Sequence, residues 1–130
     1  MILIGHPYID FKPFEKIEKR EDISQTSSHS VVVFDFCEDS VSLCHYAREN
    51  EVAFALFVKE EREVILASAL GASYIICDKN LVKSAQTFAD DYLFDAKILL
   101  FSDSENDIEY AAQKSIDGIL FKKGVSNGSC

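Results

Sequence analysis

The sequence is poor in positive charge, and this shortage bears on two classes of partner. Lysine and arginine together number 13 against 22 aspartate and glutamate residues, which gives a net charge of −9 over 130 residues. Nucleic-acid phosphates are recognised largely by clustered basic side chains. The pair Lys122 and Lys123 and the mixed segment 12–20 do not form such a stripe. Binding to nucleic acid or to an anionic membrane surface is therefore disfavoured.

Long apolar runs and paired cysteine motifs are also missing. Every unbroken apolar run is far shorter than the roughly 20 residues that a membrane-spanning helix needs. The apolar start at 1–5 is too short for a signal-peptide core, and no basic region precedes it. The cysteines, which lack C-x-x-C spacing, are Cys37, Cys44, Cys77 and Cys130. These features predict a cytoplasmic protein with reduced thiols.

The chain has the size and composition of one globular domain. It contains 48% apolar and 27% charged residues, which are ordinary values for a folded protein. We expect a single α/β domain over 1–130. The first part, 1–30, is predicted to add a strand, a helix over about 13–20 and a polar surface linker over 24–30. The segment 124–130, with two glycines and two serines, is predicted to be a flexible tail.

Short apolar segments recur along the chain at nearly equal spacing. After a first run at 2–4, they lie at 31–36, 52–58, 74–77, 98–101 and 119–121. Their lack of polar alternation is typical of strands buried on both faces. Helical apolar periodicity falls between them, at 39–50, 60–70, 80–93 and 105–115. The pattern predicts a three-layer α/β/α sandwich, Rossmann-like or flavodoxin-like, with a mostly parallel sheet of five or six strands.

In a parallel sheet, ligands bind beyond the carboxyl ends of the strands. Polar side chains follow each predicted strand and are expected to meet at that edge. The candidate ligand-binding residues are His6, Asp35, Cys37, Lys59, Asp78, Ser102 and Lys122. For His6 the favoured interpretation is structural, in the loop with Pro7, and for Lys59 it is a solvated surface position.

The order of these residues over 31–123 resembles the receiver domain of two-component response regulators. An acidic cluster follows one strand, an aspartate follows the strand at 74–77, a hydroxyl follows 98–101 and a lysine follows 118–121. The resemblance implies that Asp78 is a phospho-acceptor, Ser102 a switch hydroxyl and Lys122 a partner of the phosphoryl oxygens. It also implies a Mg²⁺ site, formed by Asp35, Glu38, Asp39 and Asp78. The chain departs from the receiver pattern in three places: the loop after Asp78, the presence of Lys123 after Lys122, and the absence of a final helix.

The sequence thus favours a small non-catalytic binding or regulatory module over an enzyme. Its partner would be a protein or a small anionic ligand at the carboxyl ends of the strands. The alternative is a receiver-like phospho-acceptor, or a Mg²⁺-dependent phosphate-handling enzyme, that uses Asp78, Ser102 and Lys122. A third interpretation is a homodimer built on an exposed helix face or edge strand. No glycine-rich phosphate loop supports nucleotide binding.

Overall fold

A computed structural model describes residues 1–26 and 29–127 as alternating strands and helices. The strands are β1 (Ile2–Ile4), β2 (Phe14–Lys16), β3 (Val32–Asp35), β4 (Phe54–Phe57), β5 (Tyr74–Cys77), β6 (Lys97–Ser102), β7 (Gly118–Phe121) and β8 (Val125–Asn127). The helices are α1 (Arg20–Ile23), α2 (Val41–Glu49), α3 (Glu61–Ala69), α4 (Val82–Tyr92) and α5 (Asp107–Gln113). Short 3₁₀ helices lie at Glu38–Ser40 and Lys122–Gly124.

All eight strands join one parallel sheet, in the order β1-β7-β6-β5-β4-β3-β2-β8. From β2 to β7, each strand pairs with the next along the chain. In the stretch from β3 to β7 a helix, α2 to α5, fills each connection, as parallel neighbours require. The first strand pairs with β7 and the last with β2, so the two ends of the chain form the two ends of the strand order.

The connection between β7 and β8 shows that this sheet is curled. The two strands are six places apart in the strand order, which would be about 29 Å on a flat sheet. Only the 3₁₀ helix Lys122–Gly124 joins them, and so short a segment reaches about 14 Å at most. The edges must therefore approach each other, and they meet where the backbone of Gly124 packs against Ile4 and Gly5.

The curl gives the two faces of the sheet different surroundings. On the convex face, the buried apolar residues of all five helices pack against alternate strand residues such as Phe34, Leu56 and Ile98. The strand residues between these alternate ones face the concave side. The buried apolar cluster on that side is formed by strand residues. Its buried members are Ile4, Phe14, Val33, Ala55, Ile76, Leu99 and Leu120. Opposite walls of one sheet thus fill the space where a flat sandwich would have a second helical layer.

The predicted class is confirmed: the chain is α/β, with a parallel sheet and helices between the strands, consistent with a Rossmann-like or flavodoxin-like architecture. The described residues form eight strands, against the five or six that were predicted. The strand at 74–77 begins and ends where it was predicted, and the four later helices lie within their predicted ranges.

Two predictions for the ends of the chain are wrong. The helix predicted over about 13–20 is the strand β2, followed by a short helix that begins only at Arg20. Alternation of Phe14 and Lys16 toward one face with Glu15 between them suits a strand. The predicted flexible tail 124–130 contains β8, which pairs with β2. Residues 27 and 28 of the predicted linker and 128–130 of the tail lie outside the described residues.

In the described part of the chain, none of the helices is both long enough and apolar enough to cross a bilayer.

Candidate functional site

A layer of polar side chains follows the apolar layer of the concave face at the carboxyl edge of the sheet. Successive side chains of a strand alternate between faces, so the residue two positions after an inward apolar residue continues on the same face. Phe14, Val33, Phe57 and Ile76 are inward. The next positions on that face are Lys16 on β2, Asp35 on β3, Lys59 after β4 and Asp78 after β5. Charge therefore alternates in sign from each strand to its neighbour.

These four charged residues surround a cavity of about 470 Å³, which we name the mouth pocket. Its remaining lining is largely apolar and comes from the ends of β4, β5, β6 and β8. The full lining is Lys16, Asp35, Phe57, Val58, Lys59, Ile76, Cys77, Asp78, Phe101 and Val125. The rings of Phe57 and Phe101 meet edge to face, with centroids 5.2 Å apart. The mouth pocket thus has an apolar, aromatic floor beneath a charged rim.

The Lys16 ammonium is only loosely paired within this pocket. Its Nζ lies 3.4 Å from Oδ1 of Asp35, longer than the roughly 2.8 Å of a strong charge-assisted hydrogen bond. The same ammonium lies 5.0 Å from the centre of the Phe57 ring, within the range of a cation–π contact. The Lys16 side chain is 30% exposed and that of Asp35 is 71% exposed. Water therefore screens the carboxylate more than it screens the ammonium.

Lys59 and Asp78 differ in how many partners their charged groups have. The backbone N–H of Lys59 donates to Glu63, while its ammonium has no hydrogen-bond or ion-pair partner within residues 1–26 and 29–127. One carboxylate oxygen of Asp78, Oδ1, accepts the N–H of Leu81 at 3.0 Å, just before α4. The other oxygen takes no hydrogen bond from the described residues. Both residues line the mouth pocket, and each keeps a charged group with unused hydrogen-bonding capacity among the described residues.

His6 and Lys122 lie in a second cavity, of about 440 Å³, at the ends of β1 and β7. The Nδ1 atom of buried His6 accepts the N–H of Tyr8 at 3.1 Å. That bond requires the proton on Nε2, which donates to Glu105 at 2.9 Å. Lys122 pairs with Asp103 at 3.2 Å. His6 therefore fixes the loop after β1.

Ser102 points to the convex side, toward helix α5, and not into the mouth pocket. Its hydroxyl donates to Asp107 at 2.6 Å and accepts the N–H of Ser104 at 3.0 Å. Asp107 also pairs with Lys79 at 2.9 Å. The Ser102 hydroxyl, followed by Lys79, holds the pKa of Asp107 below its ordinary value. This network ties the loop after β6 to the loop after β5.

Cys37, Glu38 and Asp39 lie apart from the mouth pocket as well. Cys37 and Asp39 line a third cavity, of about 310 Å³, between β3 and α2, where Asp35 borders both cavities. Cys37 is exposed, and its backbone N–H donates to the hydroxyl of Ser40 at 2.9 Å. Within residues 1–26 and 29–127, no group of three or more His, Cys, Asp or Glu side chains converges as a metal site requires. The predicted Mg²⁺ site at Asp35, Glu38, Asp39 and Asp78 gains no geometric support.

The structure thus brings Asp35, Lys59 and Asp78 together, groups His6 with Lys122 in a second cavity, and places Ser102 and Cys37 elsewhere. Sequence reasoning missed Lys16 and the aromatic floor. The helix predicted over about 13–20 includes Lys16, although the order of Phe14, Glu15 and Lys16 carries the two-residue period of a strand. Phe57 and Phe101 were interpreted only as buried strand residues.

No family model matches the chain, and no curated protein matches it. The resemblance to receiver domains therefore depends on residue order alone and stays a prediction. In the structure, Asp78, Ser102 and Lys122 each have a different local partner: Leu81, Asp107 and Asp103.

Proposed function

We propose that this protein is a non-catalytic binding module that holds a small organic anion in the mouth pocket. One observation supports this proposal above the others, namely that a single cavity joins an aromatic floor to a rim with two ammonium groups. Ligand sites are commonly concave and mostly apolar, with a few polar groups that orient the ligand. The cavity also lies at the carboxyl edge of a parallel sheet, where ligands of such sheets bind.

The preference for an anion follows from the state of the two lysines. Lys59 has an ammonium without a partner in the described residues, and Lys16 has one long contact to a well-exposed carboxylate. An ammonium has three donors, so both lysines retain donors for a ligand. The apolar body of the same ligand would displace water from the rings of Phe57 and Phe101, which is the favourable part of binding.

Binding without catalysis is favoured because the thiol of Cys77, a residue of the pocket lining, packs within the apolar cluster of the convex face. Burial, and next the nearby Asp78 carboxylate, raise the pKa of Cys77 to about 12. The thiolate is the reactive form of cysteine, and at neutral pH this group is almost entirely protonated. Asp78, in turn, already accepts a backbone N–H. The pocket is therefore better equipped to hold a ligand than to attack one.

The proposal is tested by titrating the protein with 3-phenylpropanoate and following backbone amide signals by NMR. We expect saturable shifts around Phe57, Phe101 and Val125, with a Kd on the order of 1 mM for so small a probe. Lys59→Met should weaken binding about fivefold, the effect of one partly exposed charge pair. Lys83→Met provides the control, since Lys83 is exposed on α4, outside the lining of the mouth pocket. Absence of shifts up to about 10 mM, or equal weakening by both variants, would overturn the proposal.

A further inference from the structure

The charged rim of the mouth pocket contains carboxylates as well as ammonium groups, in equal number. Lys16, Asp35, Lys59 and Asp78 are carried by four neighbouring strands, β2 to β5. Lys16 and Asp35 contact each other. Lys59 and Asp78 are the remaining opposite charges, at the ends of β4 and β5, and no ion pair joins them within the described residues. The rim thus offers one free positive and one free negative group on adjacent strands.

We infer that the ligand is an amino carboxylate with an apolar side chain, whose carboxylate binds Lys59 and whose ammonium binds Asp78. The inference depends on the proposed function, because it names the ligand class for the same pocket. It is carried by the juxtaposition of two unpaired opposite charges above an aromatic floor.

Geometry and electrostatics both favour a ligand that carries two charges. Neighbouring parallel strands lie about 4.8 Å apart, and the amino nitrogen and carboxylate carbon of an α-amino acid lie about 2.5 Å apart. Such a ligand can therefore contact side chains from β4 and β5 together. A carboxylate alone would pair with Lys59 but would be repelled by the Asp78 carboxylate beside it. An ammonium on the ligand converts that repulsion into a second attraction.

The floor of the mouth pocket determines which kind of side chain the ligand should have. Phe57 and Phe101 meet at 5.2 Å in an edge-to-face pair, and Val125 lies in the same lining. An aromatic ring packs on such a pair with offset or edge-to-face geometry. A phenyl or larger apolar group therefore suits the floor better than a polar side chain, which would lose its hydrogen bonds to water there.

The decisive measurement compares L-phenylalanine with 3-phenylpropanoate, which lacks only the amino group. For the wild-type protein, we expect L-phenylalanine to bind about fivefold more tightly, as one added partly exposed charge pair implies. Asp78→Asn should abolish this advantage and leave 3-phenylpropanoate bound at least as tightly. The substitution keeps the Oδ1 acceptor for the Leu81 N–H, so the start of α4 is preserved. Asp91→Asn, at an exposed position of α4, is the matched control and should leave the advantage intact.

The outcomes separate this inference from the proposed function. If 3-phenylpropanoate binds as tightly as L-phenylalanine, or if the advantage survives in Asp78→Asn, the amino carboxylate inference is wrong while the anion site stands. If neither compound shifts the amide signals of the mouth pocket, both proposals are overturned. If Asp91→Asn also loses the tighter binding of L-phenylalanine, then that preference arises from the overall charge of the protein. This result would also contradict the inference.

Discussion

The rings of Phe14 and Tyr74 lie 5.0 Å apart, centroid to centroid, although they belong to β2 and β5. These strands are three places apart in the sheet, a separation of about 14 Å if the sheet were flat. The contact is therefore made across the concave face. The contact between Phe14 and Tyr74 results from the curl of the sheet. The same curl places Lys16 of β2 over the ring of Phe57 on β4 and creates the mouth pocket.

Removal of the Phe14 ring should strongly destabilise the fold. Phe14 is 3% exposed within the concave cluster, whereas Phe11, three residues earlier, is 37% exposed. We expect Phe14→Ala to lower the free energy of unfolding by about 3–5 kcal/mol, because a buried ring leaves a cavity. Phe11→Ala should cost less than about 1 kcal/mol. Urea unfolding of both variants checks this, and equal losses would contradict the curled packing.

The contact between the two edges of the sheet predicts a specific cost for a side chain at Gly5. Gly5 has φ +101°, and a Cβ there would lie 2.5 Å from the backbone nitrogen of Gly124. Gly71 has a similar φ of +94°, but a Cβ there would meet only the flexible side chain of Arg48. Both alanine variants carry the strain of a positive φ, about 1–2 kcal/mol. Gly5→Ala should lose a further 1–3 kcal/mol through the backbone clash.

Chemical denaturation of Gly5→Ala and Gly71→Ala, measured side by side, isolates the clash from the strain. If the two variants lose the same stability, then Gly5 and Gly124 do not close the sheet in the way the structure indicates.

Asp107 should make the stability of the protein depend on pH. The Ser102 hydroxyl and the Lys79 ammonium hold the Asp107 pKa below its ordinary 3.8, and the carboxylate is 17% exposed. A lowered pKa in the folded state contributes stability that is complete above the unfolded value and is lost as pH falls through the folded value. At neutral pH, Asp107→Asn should therefore be less stable than the wild type by about 2 kcal/mol.

Unfolding midpoints of Asp107→Asn and the wild type should converge when pH is lowered below 4. Asp91→Asn, at an exposed position without a partner in the described residues, should follow the wild type at every pH. A difference for Asp107→Asn that stays constant at acidic pH would show that charge is not the origin of the effect.

The cysteines should differ in reactivity toward alkylating reagents. Burial raises the pKa of Cys44 to about 11 and that of Cys77 to about 12, and both side chains are buried. Cys37 is exposed. Because the thiolate reacts and access is required, brief treatment of the native protein with iodoacetamide should modify Cys37 and spare Cys44 and Cys77. Peptide mapping by mass spectrometry resolves each site, and modification of Cys44 and Cys77 after urea treatment serves as the control.

Leu93 offers a position where a substitution should stabilise the protein. It ends α4 with φ 53°, in the left-handed region, and its side chain is 84% exposed. Glycine adopts this conformation without the Cβ penalty of about 1–2 kcal/mol and is common after the last turn of a helix. The greater flexibility of glycine in the unfolded chain offsets part of that gain. Leu93→Gly should raise the free energy of unfolding by about 0.5–1 kcal/mol, and a decrease would contradict the assigned conformation.

The sequence by itself determined the central strands, the helices between them and the parallel arrangement. These features depend on local apolar runs and helical periodicity, as at 74–77 and 80–93, where β5 and α4 lie. It also predicted that Asp35, Lys59 and Asp78 would gather at one edge, because parallel strands end on the same side. In the structure, these three residues line the mouth pocket at that edge.

The tertiary structure alone decided the curl, and with it the site. The strands β2 and β8 are only three residues long, and their pairing depends on contacts between opposite ends of the chain. The approach of Phe14 to Tyr74 and of Gly5 to Gly124 is likewise set by packing and not by neighbours in sequence. Local patterns specify which residues face inward, but only the closure of the sheet determines which inward residues meet.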